Sequence, residues 1–343
     1  MNKWQNIDRQ RRINIIENIS KETRLSFASI EKDWWVTMAL RALFRCDCAE
    51  VMVFKGGTSL SKAWNLIERM SEDVDIAIDR RFFGFDGELN RSAITKLRKA
   101  SCLYIGTSLK DQLTYHLEDM GIAGFMMNIP ETKDTSADPQ IIELKYETLF
   151  SEEEGTYIKD KVLIEIGSRS LIEPSQNVEI RSIIANSYPQ SSFADLLTPI
   201  PTVIPQRTFL EKAFLLHEEF QKPAESIRVE RMSRHLYDLE RLMDTDFARN
   251  ALDDISLYQS IVDHRSKLTA ISGVDYSTHS PDTINFVPPD FVIERWRNDY
   301  SFMQANMIYG ESLPFGKLIE RIKKLNERFR KIKHYQYQKT FVL

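Results

Sequence analysis

The alternation of hydrophobic and polar positions predicts four strands in the first half of the chain. They are AEVMVF (49–54), DVDIAI (73–78), IIELKYETLF (141–150) and KVLIEIGSRS (161–170). Each has the short apolar run typical of a strand. Helical spacing of apolar residues instead predicts helices at 29–45, with Ser29 as N-cap, at 58–70 after the turn Lys55-Gly56-Gly57, and within 94–121.

The second half of the chain has a different pattern. The stretch TPIPTVIPQ (198–206) contains three prolines and marks a boundary, after which apolar residues recur at helical spacing. Thr208 and Glu211 have the spacing of a capping box and predict the start of the first helix there. The sequence therefore predicts an α+β domain at 1–205 and a helical domain at 206–343.

The strand DVDIAI carries the strongest candidate chemistry. Asp73 and Asp75 are two residues apart and lie on one face, opposite Val74 and Ile76. Neighbouring carboxylates repel each other, and the arrangement becomes favourable when they share a cation. Mg²⁺ prefers oxygen ligands, usually one or two carboxylates together with substrate phosphates. The pair alone is consistent with a metal site or with a solvated polar face.

A turn suited to anions is predicted just upstream of this strand. Gly56 and Gly57 allow the backbone to approach a phosphate closely, and the helix that follows presents unpaired N–H groups. Thr58 and Ser59 add hydroxyl groups at the same place. A G-G-T turn alone is more often only a turn, and neither the P-loop nor the dinucleotide pattern is present. The order strand, turn, helix and acidic strand favours a site.

Glu165 is a third candidate carboxylate. It lies on the face of its predicted strand opposite Ile164 and Ile166. A carboxylate between aliphatic residues is costly to bury unless it is paired or metal-bound. The alternatives are a glutamate that faces water on an edge strand, or one bonded to Arg169.

The composition excludes several classes of protein. Hydrophobic residues make up 42% and charged residues 28% of the 343 residues, as in a globular protein. Three cysteines without C-x-x-C spacing indicate neither a disulfide framework nor a zinc site. A polar N-terminal stretch and the lack of a long apolar run predict a cytoplasmic protein without a membrane partner. At a net charge of -4, binding to nucleic acid requires a local basic patch.

One basic segment meets that requirement. Residues 317–339 hold nine lysines and arginines against two glutamates, and the apolar residues among them have helical spacing. Such a stripe would attract a phosphate backbone. A solvated helix face is an equally good interpretation.

These motifs together resemble the AbiEii/AbiGii family of the DNA polymerase β-like nucleotidyltransferase superfamily, which comprises toxins of type IV toxin–antitoxin and phage abortive-infection systems. The resemblance implies an α/β (α+β) fold with a mixed sheet, flanked by N-terminal helices and a helical C-terminal domain. The matching stretches are IEKDWWVTMAL (30–40), FKGGTSLSKAW (54–64), RMSEDVDIAI (69–78), VLIEIGSRSLIEP (162–174), RTFLEKAFLLHE (207–218), RHLYDLERLM (234–243) and MIYGESLPFGKLIERIKKL (307–325).

The resemblance implies a two-metal active site. Asp73, Asp75 and Glu165 are expected to bind Mg²⁺, and the turn 56–59 is expected to cradle the phosphates of an NTP. The expected reaction transfers NMP to an acceptor hydroxyl, with the 3′ end of tRNA as an attractive acceptor and a protein hydroxyl as another. A cognate antitoxin encoded nearby is the expected partner, in antiviral defence. The alternatives are a non-catalytic binding protein on the same fold and a phosphotransferase that uses the same site.

Two helices of the second half supply further catalytic positions by the same resemblance. Lys212 and Asp238 match a lysine and an aspartate of the family. From the residues alone, Lys212 is a lysine that packs its stem along the core. Asp238 alone fits an exposed ladder of ion pairs with Arg234 and Arg241 on one helix.

Overall fold

The chain divides into two compact units in a computed structural model that describes residues 3–71, 73–130, 137–150 and 159–332. The sheet unit comprises Met1–Trp64 and Met70–Val203. The helical unit comprises Asn65–Arg69 and Ile204–Leu343. The short segment Asn65–Arg69 thus groups with the second half of the chain, although it lies between two elements of the sheet unit.

The sheet unit is a mixed β-sheet flanked by helices. Its strands lie in the order β3-β4-β5-β2-β1-β7-β6, with β2–β5 and β1–β7 parallel and the other pairs antiparallel. This confirms the predicted class, a mixed sheet with N-terminal helices. The strands are β1 (Met52–Lys55), β2 (Asp73–Ile78), β3 (Phe125–Asn128), β4 (Gln140–Tyr146), β5 (Lys161–Gly167), β6 (Ser175–Ile180) and β7 (Thr198–Val203), and the helices are α1 (Arg9–Thr23), α2 (Phe27–Leu43), α3 (Gly56–Lys62), α4 (Arg91–Tyr104), α5 (Lys110–Asp119) and α6 (Ile183–Ser187).

One face of the sheet forms the apolar core of this unit. Val74 and Ile76 of β2 are buried and in register with buried Ile164 and Ile166 of β5. α2 packs on this face, because its residue Trp35 stacks on Tyr146 of β4 with ring centroids 4.9 Å apart. The alternation predicted for β2 and β5 is confirmed.

The helix predicted at 58–70 is wrong beyond its first turns. α3 begins at Gly56 and ends at Lys62. The indole of Trp64 then donates to the Val203 carbonyl at 3.1 Å, and Asn65 adopts a φ of 51°. Because asparagine tolerates the left-handed region, the chain can turn out of the helix at this residue.

A strand occupies the proline-rich stretch that predicts a boundary. β7 covers most of it and pairs along its length with β6. Pro199 and Pro201 lack an N–H group to donate, and proline normally argues against a strand. β7 was therefore hidden from the sequence pattern, as were the short β3 and the polar, exposed β6.

The helical unit contains the remaining α-helices of the described residues. They are α7 (Pro205–Phe220), α8 (Ser233–Leu242), α9 (Asp246–Asp253), α10 (Ile255–His264), α11 (Ile293–Asn306) and α12 (Phe315–Phe329).

The start of two helices differs from prediction. α7 begins with Pro205 in its first turn, where the missing N–H costs nothing, so the capping box at Thr208 is wrong. α2 begins at Phe27, and Ser26, not Ser29, is its N-cap. None of the helices in the described residues combines the length and the apolar character that crossing a bilayer requires.

Candidate active site

The three candidate carboxylates occupy neighbouring positions on one face of the sheet. Asp75 of β2 is directly in register with Glu165 of the parallel strand β5, and Asp73 is in register with Leu163. Adjacent strands lie about 4.8 Å apart, so residues in register are side by side. All three carboxylates lie opposite the α2 face and are partly exposed. Glu165 is on an interior strand, which excludes the edge-strand alternative.

The glycine turn lies directly against Asp75. Lys55 at the end of β1 is in register with Asp75, so the next residue, Gly56, approaches the carboxylate. Gly56 has a φ of +78°, and a Cβ built on it would lie 2.7 Å from Cγ of Asp75 and 2.9 Å from its Cβ. Real Cβ atoms essentially never come so close, and only glycine fits there. The turn and the acidic strand form one continuous surface.

The hydroxyls of Thr58 and Ser59 form hydrogen bonds with protein atoms in and beside this turn. Thr58 Oγ1 donates to the Asp73 carbonyl and lies 2.8 Å from Ser71 Oγ. Ser59 Oγ donates to the Gly56 carbonyl at 2.9 Å. Both side chains are buried. The Thr58 hydroxyl therefore holds the turn against β2 and the Ser59 hydroxyl closes the turn, and the backbone N–H groups are the donors left for a phosphate.

The carboxylates suit a hard divalent cation but do not by themselves form a complete coordination shell. Within the residues that the structure describes, no three His, Cys, Asp or Glu side chains are arranged to hold a metal ion. Mg²⁺ usually takes only one or two carboxylates and completes its shell with water and substrate phosphates. The Asp75–Glu165 pair, with Asp73 beside it, supplies oxygen ligands of that kind.

Lys212 and Asp238 form a buried ion pair within the helical unit. Nζ of Lys212 lies 2.8 Å from Oδ2 of Asp238. Arg69 binds the same carboxylate with two hydrogen bonds of 2.7 Å. Asp238 is fully buried, and Arg241 pairs instead with Glu68 at 2.9 Å. The interpretation of Asp238 as part of an exposed ladder is therefore wrong.

The electrostatics of this cluster leave an excess of positive charge. Burial would raise the pKa of Asp238, but the charges of Arg69 and Lys212 hold it well below its usual range. Burial lowers the pKa of Lys212, and Asp238 only partly offsets this. Arg234 repels the ammonium as well. Because one carboxylate faces two cations here, an anionic ligand would stabilise the cluster.

His235 lies beside the ion pair. It is buried, and burial together with Lys212 and Arg234 places its pKa well below the usual value. Its Nδ1 has no hydrogen-bond partner in the described part of the chain. A neutral imidazole next to several cations adds no charge to the cluster, so the positive excess comes from the arginines and Lys212.

Arg69 is the functional candidate that sequence reasoning missed. It stands in the stretch RMSEDVDIAI and precedes Asp73 by four residues, yet no pattern gives it a partner. Its role depends on the segment Asn65–Arg69 joining the helical unit, which a helix predicted over 58–70 conceals. The available signal was an arginine at the end of an apolar run, which is too common to indicate a buried pair.

A family of known proteins matches this sequence over residues 39–332, and its description is "Nucleotidyl transferase AbiEii toxin, Type IV TA system". The match includes the glycine turn, both carboxylate strands and the Lys212–Asp238 pair. The protein is therefore a nucleotidyltransferase. More narrowly, the chain belongs to the AbiEii toxin family of type IV toxin–antitoxin systems, and this membership implies an NTP substrate and an antitoxin partner. No curated protein sequence matches it.

Solved structures from two bacteria are similar over most of the chain. A candidate nucleotidyltransferase from Helicobacter pylori is 14% identical, with a TM-score of 0.45 over 90% of this chain and 96% of its own. MenT4, a nucleotidyltransferase toxin from Mycobacterium tuberculosis H37Rv, is 16% identical, with a TM-score of 0.41 over 92% and 99%. JHP933 from Helicobacter pylori is 17% identical, with a TM-score of 0.36 over 88% and 98%. The family assignment rests on the sequence match.

Proposed function

We propose that this protein is a Mg²⁺-dependent toxin that transfers NMP from an NTP to the 3′ end of tRNA. The observation that carries the proposal is the register of Asp75 with Glu165 next to the Gly56 turn. Oxygen ligands for a metal and a backbone that can approach a phosphate are then adjacent. Membership of a nucleotidyltransferase family supports the same chemistry.

Each part of the carboxylate face has a role in this proposal. Asp73, Asp75 and Glu165 would hold two Mg²⁺ ions. Metal ions held there would supply stabilisation of the attacking and leaving oxygens in an in-line displacement at the α-phosphate. Glu165 lies beside Asp75 and also orients the acceptor hydroxyl. Gly56, with the N–H groups that follow it in the turn, binds the β and γ phosphates.

The ion pair of the helical unit has a second role. Lys212 has three N–H donors, and one of them is directed at Asp238, so others can bind a phosphate oxygen and neutralise the leaving pyrophosphate. Asp238 holds the ammonium in one orientation. Arg69 in turn fixes Asp238 with its two hydrogen bonds.

Basic residues of the C-terminal segment support tRNA as the acceptor. Exposed cations on and after α12 supply contacts to an RNA backbone; they are Lys323, Lys324, Arg330 and Lys331. Arg321 and Arg328 do not belong to this set, because both bind Asp244. The remainder of the basic segment, from 333 to 339, lies outside the described residues.

Transfer from labelled NTPs tests the proposal. The protein is incubated with Mg²⁺, total tRNA and each NTP labelled at the α- or the γ-phosphate. α-Label on the tRNA 3′ end is the expected result, whereas γ-label on any acceptor would indicate a phosphotransferase. α-Label on protein would move the acceptor to a protein hydroxyl. Absence of transfer, together with absence of metal-dependent NTP binding, would make the protein a non-catalytic binder.

A further inference from the structure

A cavity of about 450 Å³ lies in the sheet unit, separate from the carboxylate face. α2 forms one wall, the end of α5 another, and the loop 192–196 before β7 closes it. Because α2 packs on the face of the sheet opposite Asp75, the cavity is on the far side from the candidate active site. Its volume is in the range of pockets for small ligands, which is about 300–1,000 Å³.

Arg41 is the residue that indicates a ligand. It lines the cavity from α2, is partly buried, and makes no hydrogen bond or ion pair with any residue that the structure describes. Burial lowers its pKa, Asp195 only partly offsets this, and nearby Arg45 lowers it further. A cation that has lost part of its hydration without gaining a hydrogen-bonded carboxylate pays a desolvation cost, and a bound anion would offset that cost.

The carboxylates of the cavity do not neutralise Arg41. Asp195 accepts hydrogen bonds from the backbone N–H of Ser182, at 3.0 Å, and from the Ser182 hydroxyl. Asp119 lies 3.6 Å from Arg45, in an exposed pair. Lys3 adds another cation to the lining, so three cations face two carboxylates. The cavity therefore has a positive balance centred on Arg41.

The rest of the lining is apolar. Phe193 is its largest ring, held by Trp4 and Tyr188 with ring centroids 5.6 Å and 6.0 Å away. Met38 and Met120 provide adaptable apolar surface beside it. An aromatic ring held by its neighbours offers a face on which a planar group can stack.

We propose that this cavity is a second ligand site that binds a small anion of mononucleotide size. Its phosphate or carboxylate binds the Arg41 guanidinium, and its planar or apolar body packs on Phe193. Arginine suits this role because its planar group presents two parallel donors to such an anion. The site is independent of nucleotidyl transfer, since its residues are remote from Asp75 and Glu165.

Calorimetric titration of the full-length protein tests this site. The probes are AMP and inorganic phosphate, in EDTA so that metal-dependent binding does not contribute. Arg41→Gln should weaken AMP binding at least about tenfold, because a charged hydrogen bond is lost. Arg12→Gln is the matched control: Arg12 is also partly buried with a lowered pKa, but it does not line the cavity. That variant should bind AMP within about twofold of the wild type.

Two further variants make the outcome decisive. Phe193→Leu should weaken AMP while leaving inorganic phosphate unchanged, because it removes only the stacking surface. Lys212→Ala should leave AMP binding unchanged. The proposal fails if the wild type shows no saturable AMP binding at millimolar concentration, or if Arg41→Gln binds AMP normally. It also fails if Lys212→Ala, and not Arg41→Gln, abolishes binding. AMP binding in EDTA and nucleotidyl transfer are measured in separate experiments. A negative result for the cavity therefore leaves the proposed transfer activity untouched, and the reverse also holds.

Discussion

Asp75 and Glu165 are in register on adjacent parallel strands although they are 90 positions apart in the chain. This register turns two isolated acidic residues into one pair on a partly exposed face. Glu143 of β4 lies on the same face, in register with Leu163, but it is bound to Lys161. Glu143 is therefore a carboxylate on the same face without a proposed metal role, and it can be compared directly with Asp75 and Glu165.

Neutralising either carboxylate of the pair should abolish transfer while the fold survives. Asp75→Asn and Glu165→Gln keep the shape of the side chain and remove its charge. Residues that only support a metal ligand cost about 10–100-fold when changed, so loss of a ligand itself should cost more than about 100-fold. Initial rates of NMP transfer measure the loss, and thermal melting verifies folding.

Glu143→Gln is the control for this pair. It alters the charge of the same sheet face without touching the register of β2 with β5. Its rate should stay within a fewfold of the wild type. Equal loss of activity in all three variants would show that the charge of the whole face matters, and the Asp75–Glu165 pair would have no special role.

Gly56→Ala should impair the site through a steric clash. The new methyl group would overlap the Asp75 carboxylate and must displace it. Gly84→Ala is matched to it, because Gly84 has the same φ of +78° and no atom within 4 Å of a built Cβ. Each substitution should cost about 1 kcal/mol in backbone strain. Only Gly56→Ala should also lower the transfer rate, and an equal rate in both variants would contradict the role of the contact.

The alternation of β2 and β5 was predictable because a strand has a strict period of two. The face of each carboxylate therefore followed from its neighbours Val74 and Ile164. Which strands lie next to each other in the sheet could not be predicted in this way, since strand order depends on long-range packing. β7 was not predicted because its prolines disfavour a strand locally, whereas pairing with β6 in the sheet imposes one.

The buried cluster was less predictable than the carboxylate face. Lys212 and Asp238 were identified only through resemblance, because a lysine and an aspartate on amphipathic helices have simpler explanations. Arg69 was missed, since the end of α3 at Lys62 is set by a turn at Asn65 that helical periodicity does not reveal. Residues whose partners lie far away in the chain carry no local signal.

Arg69 should stabilise the helical unit strongly by pairing with Asp238. Arg69→Met removes two charged hydrogen bonds and leaves the fully buried Asp238 paired with Lys212, which should cost about 3 kcal/mol. Asp238→Asn removes the carboxylate that Arg69 binds, so the double variant should lose less stability than the sum of the two single losses. A double-mutant cycle, measured by urea unfolding, gives the coupling free energy.

Arg241→Met is the control for that cycle. Its partner Glu68 is 45% exposed, and exposed pairs contribute about 0–1 kcal/mol. The coupling of Arg69 with Asp238 should exceed about 1.5 kcal/mol, well above that of the exposed pair. A coupling near zero would mean that Arg69 stabilises the unit by packing alone, without fixing the aspartate.

His217 should make the helical unit less stable in acid. Its ring is buried and neutral, with Nδ1 accepting from the Asn285 N–H at 3.0 Å and Nε2 2.9 Å from Thr278 Oγ1. Burial, with a further contribution from His279, lowers its pKa to about 4. The unfolded chain takes up this proton near pH 6.5, whereas the folded chain does not until about pH 4.

The free energy of unfolding should therefore be unaffected by this group above about pH 7 and should fall as the pH drops from about 6.5 to 4. The slope is about 1.4 kcal/mol per pH unit, or about 3 kcal/mol in total. Urea unfolding at several pH values, compared between wild type and His217→Gln, isolates the contribution, and His116→Gln in the sheet unit is the control. Between about pH 6.5 and 4, the unfolding free energy of His217→Gln should depend less steeply on pH than that of the wild type, by the equivalent of about one proton. Parallel slopes for wild type and His217→Gln would mean that the imidazole is protonated equally in the folded and unfolded chain.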